Sequence, residues 1–320
     1  MSAPSNYSES PSLGTAVQLT PVVIQRVEEG LAAARNPAVQ QCTQTAIAEL
    51  GTIADTRVDT RVSGGFRRWL LRRFIRLLFR VRVEFPENIP QEPVVLVANH
   101  LSHLDLFLIL ASVPARPYYY VLGDARTLYN ARTLYNKRWK RWIVGQAGGV
   151  IPLERWWKEE VAVIEQAQGD RPDLRPLADA IQQDVPNGSS IKQMRQIDQA
   201  VQAILQRGDG LLLFPEGRLG EQEGQLHRPL KRGTVIYAMR SGVPIVPVAI
   251  IGTRSLFLRK RLTLRFGSPL PFEPQPRPKR AAIDQALTRL ATRLEDLLNA
   301  QYIEPKGTKP LQRWLDRLFW

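Results

Sequence analysis

The sequence predicts an α/β fold: a mixed, largely parallel sheet flanked by helices, with an N-terminal amphipathic helical region suited to a membrane surface. Three observations carry this. Apolar runs at Val94–Ala98, Tyr118–Leu122, Val150–Leu153, Leu211–Phe214 and Ile245–Ile251 look like buried strands, because strands covered on both faces read as continuous apolar segments. Helical periodicity separates them, at Ser102–Ala111, Lys192–Arg207, Gly233–Ser241 and Pro278–Asn299. An arginine-rich, aromatic-bearing stretch stands just before the first strand.

Taken in order, residues 1–20 are rich in Ser, Pro and Thr and read as a flexible tail, and Pro21 to about Leu50 has helical spacing. A Gly64–Gly65 pair then leads into GFRRWLLRRFIRLLFRVRV, from Gly65 to Val83. Phe66, Leu70, Phe74, Leu77, Leu78 and Val81 recur at helical spacing, and Arg68, Arg72, Arg76 and Arg80 form a stripe four residues apart. An ordinary helix packed by its apolar face would show the same pattern. Trp69 and Phe74 among arginines with no acid nearby favour a helix lying in a membrane interface. Residues 61–84 are therefore read as a membrane-binding helix. A shorter anchor of the same kind is read in the 301–320 tail, around Trp314 and Trp320. The main domain is placed at 85–300, with a helical insertion at about 156–191, and a tandem ARTLYN repeat occupies 125–136.

The net charge is +14, with −3 in residues 1–60 and +17 over the rest, so the body of the chain wants an anionic partner. No zinc, recognition-helix or RNA-platform pattern accompanies that charge, so nucleic acid is not expected as the partner. The single cysteine, Cys42, excludes an internal disulfide and a cysteine-based metal site. The first ten residues lack a signal-peptide pattern, and no run of 18 apolar residues suggests a spanning helix. The expectation is a protein on the cytoplasmic face of a membrane.

Chemistry is concentrated at strand ends, where α/β sheets bind ligands. Asn99-His100-Leu101-Ser102-His103-Leu104-Asp105 follows the first strand. With Ser102 as N-cap, Asp105 falls at the third helical position and reaches back to His100, fixing its tautomer. The helix N-terminus beside it offers N–H groups to an oxyanion. A His-x4-Asp spacing alone carries little weight, since capping explains Ser102 and Asp105 equally well. Phe214-Pro-Glu-Gly-Arg218 ends another strand, and Glu216 and Arg218 suit a polyol and a phosphate. Gly149-Val-Ile-Pro-Leu-Glu-Arg155 ends a third, Val243-Pro-Ile-Val-Pro-Val248 forms a fourth, and Lys231 and Arg232 add positive charge. His103 and His227 read as ordinary polar residues.

In this order NHLSHLD, GVIPLER, FPEGR and VPIVPV resemble the motifs of the glycerolipid acyltransferase family that includes lysophosphatidic acid acyltransferases. The resemblance covers about residues 85–255. It implies that His100 is a general base partnered by Asp105, and that Arg155, Glu216, Gly217, Arg218 and Lys231 bind a phosphorylated acceptor. It also implies an O-acyltransferase of phospholipid biosynthesis, using acyl carrier protein or coenzyme A thioesters as co-substrates, with no other cofactor and no metal. The expected partners are anionic lipids, the thioester and a lysophospholipid acceptor. Arg218 directly after Gly217, where many members have Thr-Arg-Ser, and the long spacing from Arg155 to Phe214 depart from the pattern. A catalytically silent lipid-binding scaffold is the alternative, as is another acceptor: glycerol 3-phosphate, another lysolipid or a lipid without phosphate.

Overall fold

The computed structural model describes residues 17–55, 64–114, 116–129, 149–188, 190–298 and 302–319. The first tail, Trp320 and the second ARTLYN copy lie largely or wholly outside these residues. The strands are β1 (Arg80–Glu84), β2 (Val95–Ala98), β3 (Tyr119–Asp124), β4 (Gly149–Leu153), β5 (Gly210–Leu213), β6 (Ile245–Ile251) and β7 (Arg261–Phe266). They form one sheet in the order β1-β7-β6-β2-β5-β3-β4. β6, β2, β5, β3 and β4 run parallel, whereas β7 pairs antiparallel with β6 and parallel with β1. The sheet is thus mixed and mostly parallel, as expected, and it brings the C-terminal ends of β2, β5 and β4 to one edge.

The helices are α1 (Pro21–Arg35), α2 (Pro37–Asp55), α3 (Gly64–Leu78), α4 (Leu104–Ser112), α5 (Ala125–Tyr129), α6 (Lys158–Gln168), α7 (Arg175–Asp184), α8 (Ile191–Gln206), α9 (Gly233–Ser241), α10 (Arg280–Leu298) and α11 (Gln312–Phe319). One apolar cluster joins α3, α4 and α11 to one face of the sheet, through Ile75, Leu108, Leu315 and Phe319. A second joins Leu50 of α2 with α8, α9 and α10 to the opposite face, through Val201, Val235 and Leu290. At roughly 25 cal/mol per Å² of apolar surface removed from water, these two clusters supply the main drive for folding. A third cluster contains no strand residue: Val27 and Leu31 of α1 pack with Val163 of α6 and Ile181 of α7. The N-terminal extension and the 156–191 insertion therefore cover each other. Pro37 accounts for the break between α1 and α2, because the residue before proline avoids the helical region and Asn36 is extended.

Two expectations about the arginine-rich segment are corrected. The helix stops at Leu78, and Arg80–Glu84 is the edge strand β1. Arg80-Val81-Arg82-Val83 alternates with period 2, which suits a strand better than a helix, and its outward arginines discourage edge-to-edge pairing. Arg68 is buried at 5% exposure, not displayed on the surface. Its Nη1 lies 3.5 Å from the Val113 carbonyl, and Arg72 Nε donates to the Ala111 carbonyl at 2.7 Å. Ala111 lies in the last turn of α4 and Val113 caps it, at a helix end that leaves C=O groups unpaired and favours positive charge. Burial lowers the pKa of Arg68 from its ordinary value. Arg68 is thus turned inward and Arg72 stays exposed while reaching the end of α4, and Phe66, Trp69, Leu70, Phe74 and Leu77 are left on the outer face, each about half exposed or more. On α11, Trp314 is exposed in the same way. No helix among the described residues is long and apolar enough to cross a membrane.

Candidate active site

The site forms where β2 and β5 end side by side. Asn99 extends β2 by one step: its side chain donates to the Ile250 carbonyl at 3.0 Å and accepts from the Ile250 N–H at 2.7 Å. That pair fixes the chain direction immediately before His100. The His100 ring stacks on Phe214, the first residue beyond β5, with centroids 4.0 Å apart. Its Nδ1 lies 2.9 Å from Asp105 Oδ2. An imidazole donating from Nδ1 to a carboxylate keeps Nε2 as the nitrogen that takes a proton, and His100 is 16% exposed while Asp105 is fully buried.

The local folding differs from the expected cap. α4 begins at Leu104, so Asp105 stands at its second position, and Ser102 lies in the turn before it. Asp105 Oδ2 reaches back to accept from Leu101 N–H at 2.6 Å and Ser102 N–H at 2.8 Å. One oxygen thus closes the turn and orients His100 at once. The expectation of free N–H groups at this helix start is also corrected. His100 N–H donates to Glu216 and Leu101 and Ser102 donate to Asp105. His103 N–H donates to the Phe319 carbonyl, Leu104 to Ser102 Oγ and Asp105 to the Ser102 carbonyl. Every backbone donor from His100 through Asp105 is engaged, so none of them stands free for an oxyanion.

Glu216 takes a role other than the one expected. It is 2% exposed, with Oε1 accepting from His100 N–H at 2.9 Å and Oε2 from His227 N–H at 2.8 Å. Burial raises its pKa, and the two backbone donors partly offset that. Its carboxylate ties the turn after β5 to the turn after β2, with both oxygens taken by backbone N–H groups. Gly217 next to it has φ +68°, and a Cβ there would lie 2.8 Å from Arg155 Nη2 and 3.2 Å from Lys231 Cε. Arg155 and Lys231 therefore meet over Gly217 because it has no side chain. Arg218 is held by His227 Nδ1 at 3.0 Å, Glu221 at 3.3 Å and Glu159 at 3.8 Å.

Several contributors were not evident from the sequence. Lys158, at the start of α6, has its pKa lowered by burial and, after it, by the nearby charges of Arg218 and Arg155. It adds a cation to this corner of the site, and the only hint was its place three residues after Arg155. His227 joins Glu216 and Arg218, and burial followed by the Arg218 charge lowers its pKa. His103 sits beside His100, with burial as the main cause of a pKa near 4, so it remains neutral. Behind the cations, Arg126 pairs with the buried Glu160 and donates to the Arg155 carbonyl at 2.9 Å. Trp157 donates to Asp124 at 2.9 Å and packs on Gly30 of α1, where a Cβ would come within 2.5 Å of its ring. The insertion thus braces the Arg155–Lys158 segment from behind.

These elements combine an oriented imidazole with a nearby cluster of cations on one sheet edge. A family model described as Acyltransferase matches residues 80–251, more than half of the chain. A probable 1-acyl-sn-glycerol-3-phosphate acyltransferase of Mycoplasma pneumoniae is 25% identical over 185 residues, covering 54% of this chain and 50% of that protein. A chloroplast 1-acyl-sn-glycerol-3-phosphate acyltransferase of Brassica napus is 23% identical over 177 residues, covering 55% of this chain and 38% of its own length. The chain therefore spans half or less of these curated relatives. The crystal structure of the lysophosphatidic acid acyltransferase PlsC from Thermotoga maritima aligns with a TM-score of 0.45 and 18% identity, covering 86% of this chain and 100% of that one.

Proposed function

Because the chain belongs to the acyltransferase family, we propose that it moves a fatty acyl group from a thioester onto the free hydroxyl of lysophosphatidic acid or a close phosphate-bearing glycerolipid. The observation that carries this is the His100–Asp105 pair at 2.9 Å, set on the same sheet edge as Arg155 and Lys231 around Gly217. His100 Nε2 removes the hydroxyl proton as that oxygen attacks the thioester carbonyl carbon. The tetrahedral adduct collapses with loss of the thiolate, which takes the proton back from the imidazolium. Asp105 holds the ring and stabilises its charged form while the proton is in transit. The transfer is direct, with no acyl-enzyme. The thioester is carried by acyl carrier protein or coenzyme A, and the reaction serves phospholipid synthesis.

The acceptor phosphate is read as the ligand of Arg155 and Lys231, with Lys158 and Arg218 adding to the positive field. Charge-assisted hydrogen bonds contribute about 1.5–3 kcal/mol, so Arg155→Ala should raise KM for lysophosphatidic acid by about 10- to 100-fold. Monoacylglycerol, which lacks the phosphate, should be a poor acceptor and insensitive to the change. Equal use of both acceptors by wild type and variant would sink the phosphate assignment. Gly217→Ala should act at the same place: a left-handed φ costs a Cβ-bearing residue about 1–2 kcal/mol, and the new methyl displaces Arg155. We expect a lower Tm together with a raised KM for the phosphate acceptor. A rise in Tm with unchanged kinetics would contradict the geometry.

The reaction is placed at an anionic membrane surface on the cytoplasmic side, with the outer face of α3 and Trp314 as the contact. Exposed aromatic and aliphatic side chains flanked by arginines are the composition that seats a helix in the headgroup region. Each arginine near an anionic leaflet adds on the order of 1 kcal/mol of attraction. Replacing Trp69 and Phe74 by Ser together with Arg76 by Gln should therefore release the protein from phosphatidylglycerol vesicles in a sedimentation assay. Undiminished sedimentation would remove α3 from the contact.

A further inference from the structure

Helix α11 lies outside the region matched by the family model, yet it touches the turn that carries His100. Its two faces are distinct. Leu315 and Phe319 are buried, at 0% and 5% exposure, in the cluster that also holds Leu104 and Leu108 of α4, while Arg313, Trp314 and Arg317 face outward. The docking is fixed at further points. Asp316 Oδ1 accepts from Leu256 N–H at 2.7 Å, and Gln312 Nε2 donates to Ser255 Oγ at 2.9 Å. Upstream, Glu304 receives the buried Lys260 at 2.9 Å and Lys309 at 2.7 Å, which ties down the chain entering the helix.

At the end of α11 the Phe319 carbonyl has the free lone pairs of a helix terminus. It accepts from His103 N–H at 3.0 Å and from Ser102 Oγ at 3.3 Å. Ser102 Oγ in turn accepts from Leu104 N–H at 3.2 Å, and Ser102 N–H donates to Asp105 Oδ2 at 2.8 Å. Only Ser102 separates the end of α11 from the carboxylate that orients His100. We propose that α11 positions the catalytic turn: Leu315 and Phe319 seat the helix so that its terminal carbonyl holds Ser102 and His103 where Asp105 can reach His100. The proposal deepens the acyltransferase reading and rests on it for the meaning of the rate, but not for the coupling between helix and turn. Undocking α11 leaves the Ser102 hydroxyl and the His103 N–H without their acceptor, and the turn is then free to shift. Misplacing a catalytic group by about 1 Å costs about 100-fold in rate.

The test uses the full chain with Leu315→Ala, Asp316→Ala and the conservative Leu315→Met. Two readouts are taken: kcat and KM for lysophosphatidic acid, and amide hydrogen exchange without substrate. Leu315→Ala should lower kcat by about 10- to 100-fold with KM changed by less than about twofold. Exchange should quicken at Leu101, Ser102 and His103 while the amides of β6 stay protected. Asp316→Ala, which leaves the core intact, should move both readouts the same way by a smaller amount, and Leu315→Met should restore them. Faster exchange confined to α11 with wild-type kcat would overturn the proposal. So would a rise in kcat, which would make the Phe319 carbonyl a block on the His103 N–H. Lost protection in β6 alongside the turn would also overturn it, by marking a general loss of stability. A wild type that transfers no acyl group would defeat the functional reading separately, while the exchange data would still decide whether α11 holds the turn.

Discussion

His100→Ala is expected to lower kcat for acyl transfer by about 10²- to 10⁴-fold while leaving the fold in place. The 16% exposed side chain makes the Asp105 hydrogen bond, the Phe214 stack and an edge contact with the His103 ring, all at the margin of the sheet. The backbone N–H of residue 100, which Glu216 needs, survives the substitution. Circular dichroism and Tm close to wild type, together with the lost rate, would separate a catalytic imidazole from a structural one. A variant that keeps its rate would remove His100 from the reaction, and one that unfolds would make the residue a part of the scaffold.

Asp105→Ala should lose both rate and stability, because the carboxylate serves two tasks. Its Oδ2 orients His100 and also accepts from the Leu101 and Ser102 N–H groups, which belong to residues 1% and 0% exposed. An alanine leaves two buried donors without an acceptor, at about 1–3 kcal/mol each. The fall in Tm should therefore be clearly larger than for His100→Ala, with a comparable or greater loss of kcat. Denaturant titration measures the first and acyl-transfer kinetics the second. Stability equal to that of His100→Ala would mean that the turn closes without the carboxylate.

The two variants also mark how far the sequence could be followed. β6 runs over the predicted residues, and β2, β3, β4 and β5 fall within two residues of theirs, because buried parallel strands leave an uninterrupted apolar run. β7 escaped notice because Arg261–Phe266 is half-exposed and alternates, so its apolar content is diluted. The proximity of His100 and Asp105 was legible because both lie on one short turn after a strand. The role of Glu216 was not: the backbone N–H it accepts from lies 116 residues away, and no local pattern records that. The orientation of α3 failed for a related reason. Helical spacing shows that arginines and apolar residues occupy different faces, but which face meets the protein depends on what lies across from it. Here that is α4, whose C-terminal carbonyls take Arg68 and Arg72 while Ile75 enters the core and Phe66, Trp69, Leu70, Phe74 and Leu77 stay outside. The same holds for α11, where Trp314 reads as an anchor but Leu315 and Phe319 are core residues tied to a turn more than 200 positions upstream. The covering of α1 by α6 and α7 likewise depends on contacts between segments that are each unremarkable alone.

The central claim is direct acyl transfer by the His100–Asp105 pair to a phosphate-bearing acceptor. Its most direct test is to incubate the purified protein with a labelled acyl thioester and lysophosphatidic acid, following free thiol, labelled lipid and label retained on the protein. The account predicts thiol and diacyl product in equal amounts, no label left on the protein, and both products formed at least about 100-fold more slowly by His100→Ala. Thiol release without lipid product, label trapped on the protein, or equal turnover by the His100→Ala variant would contradict it.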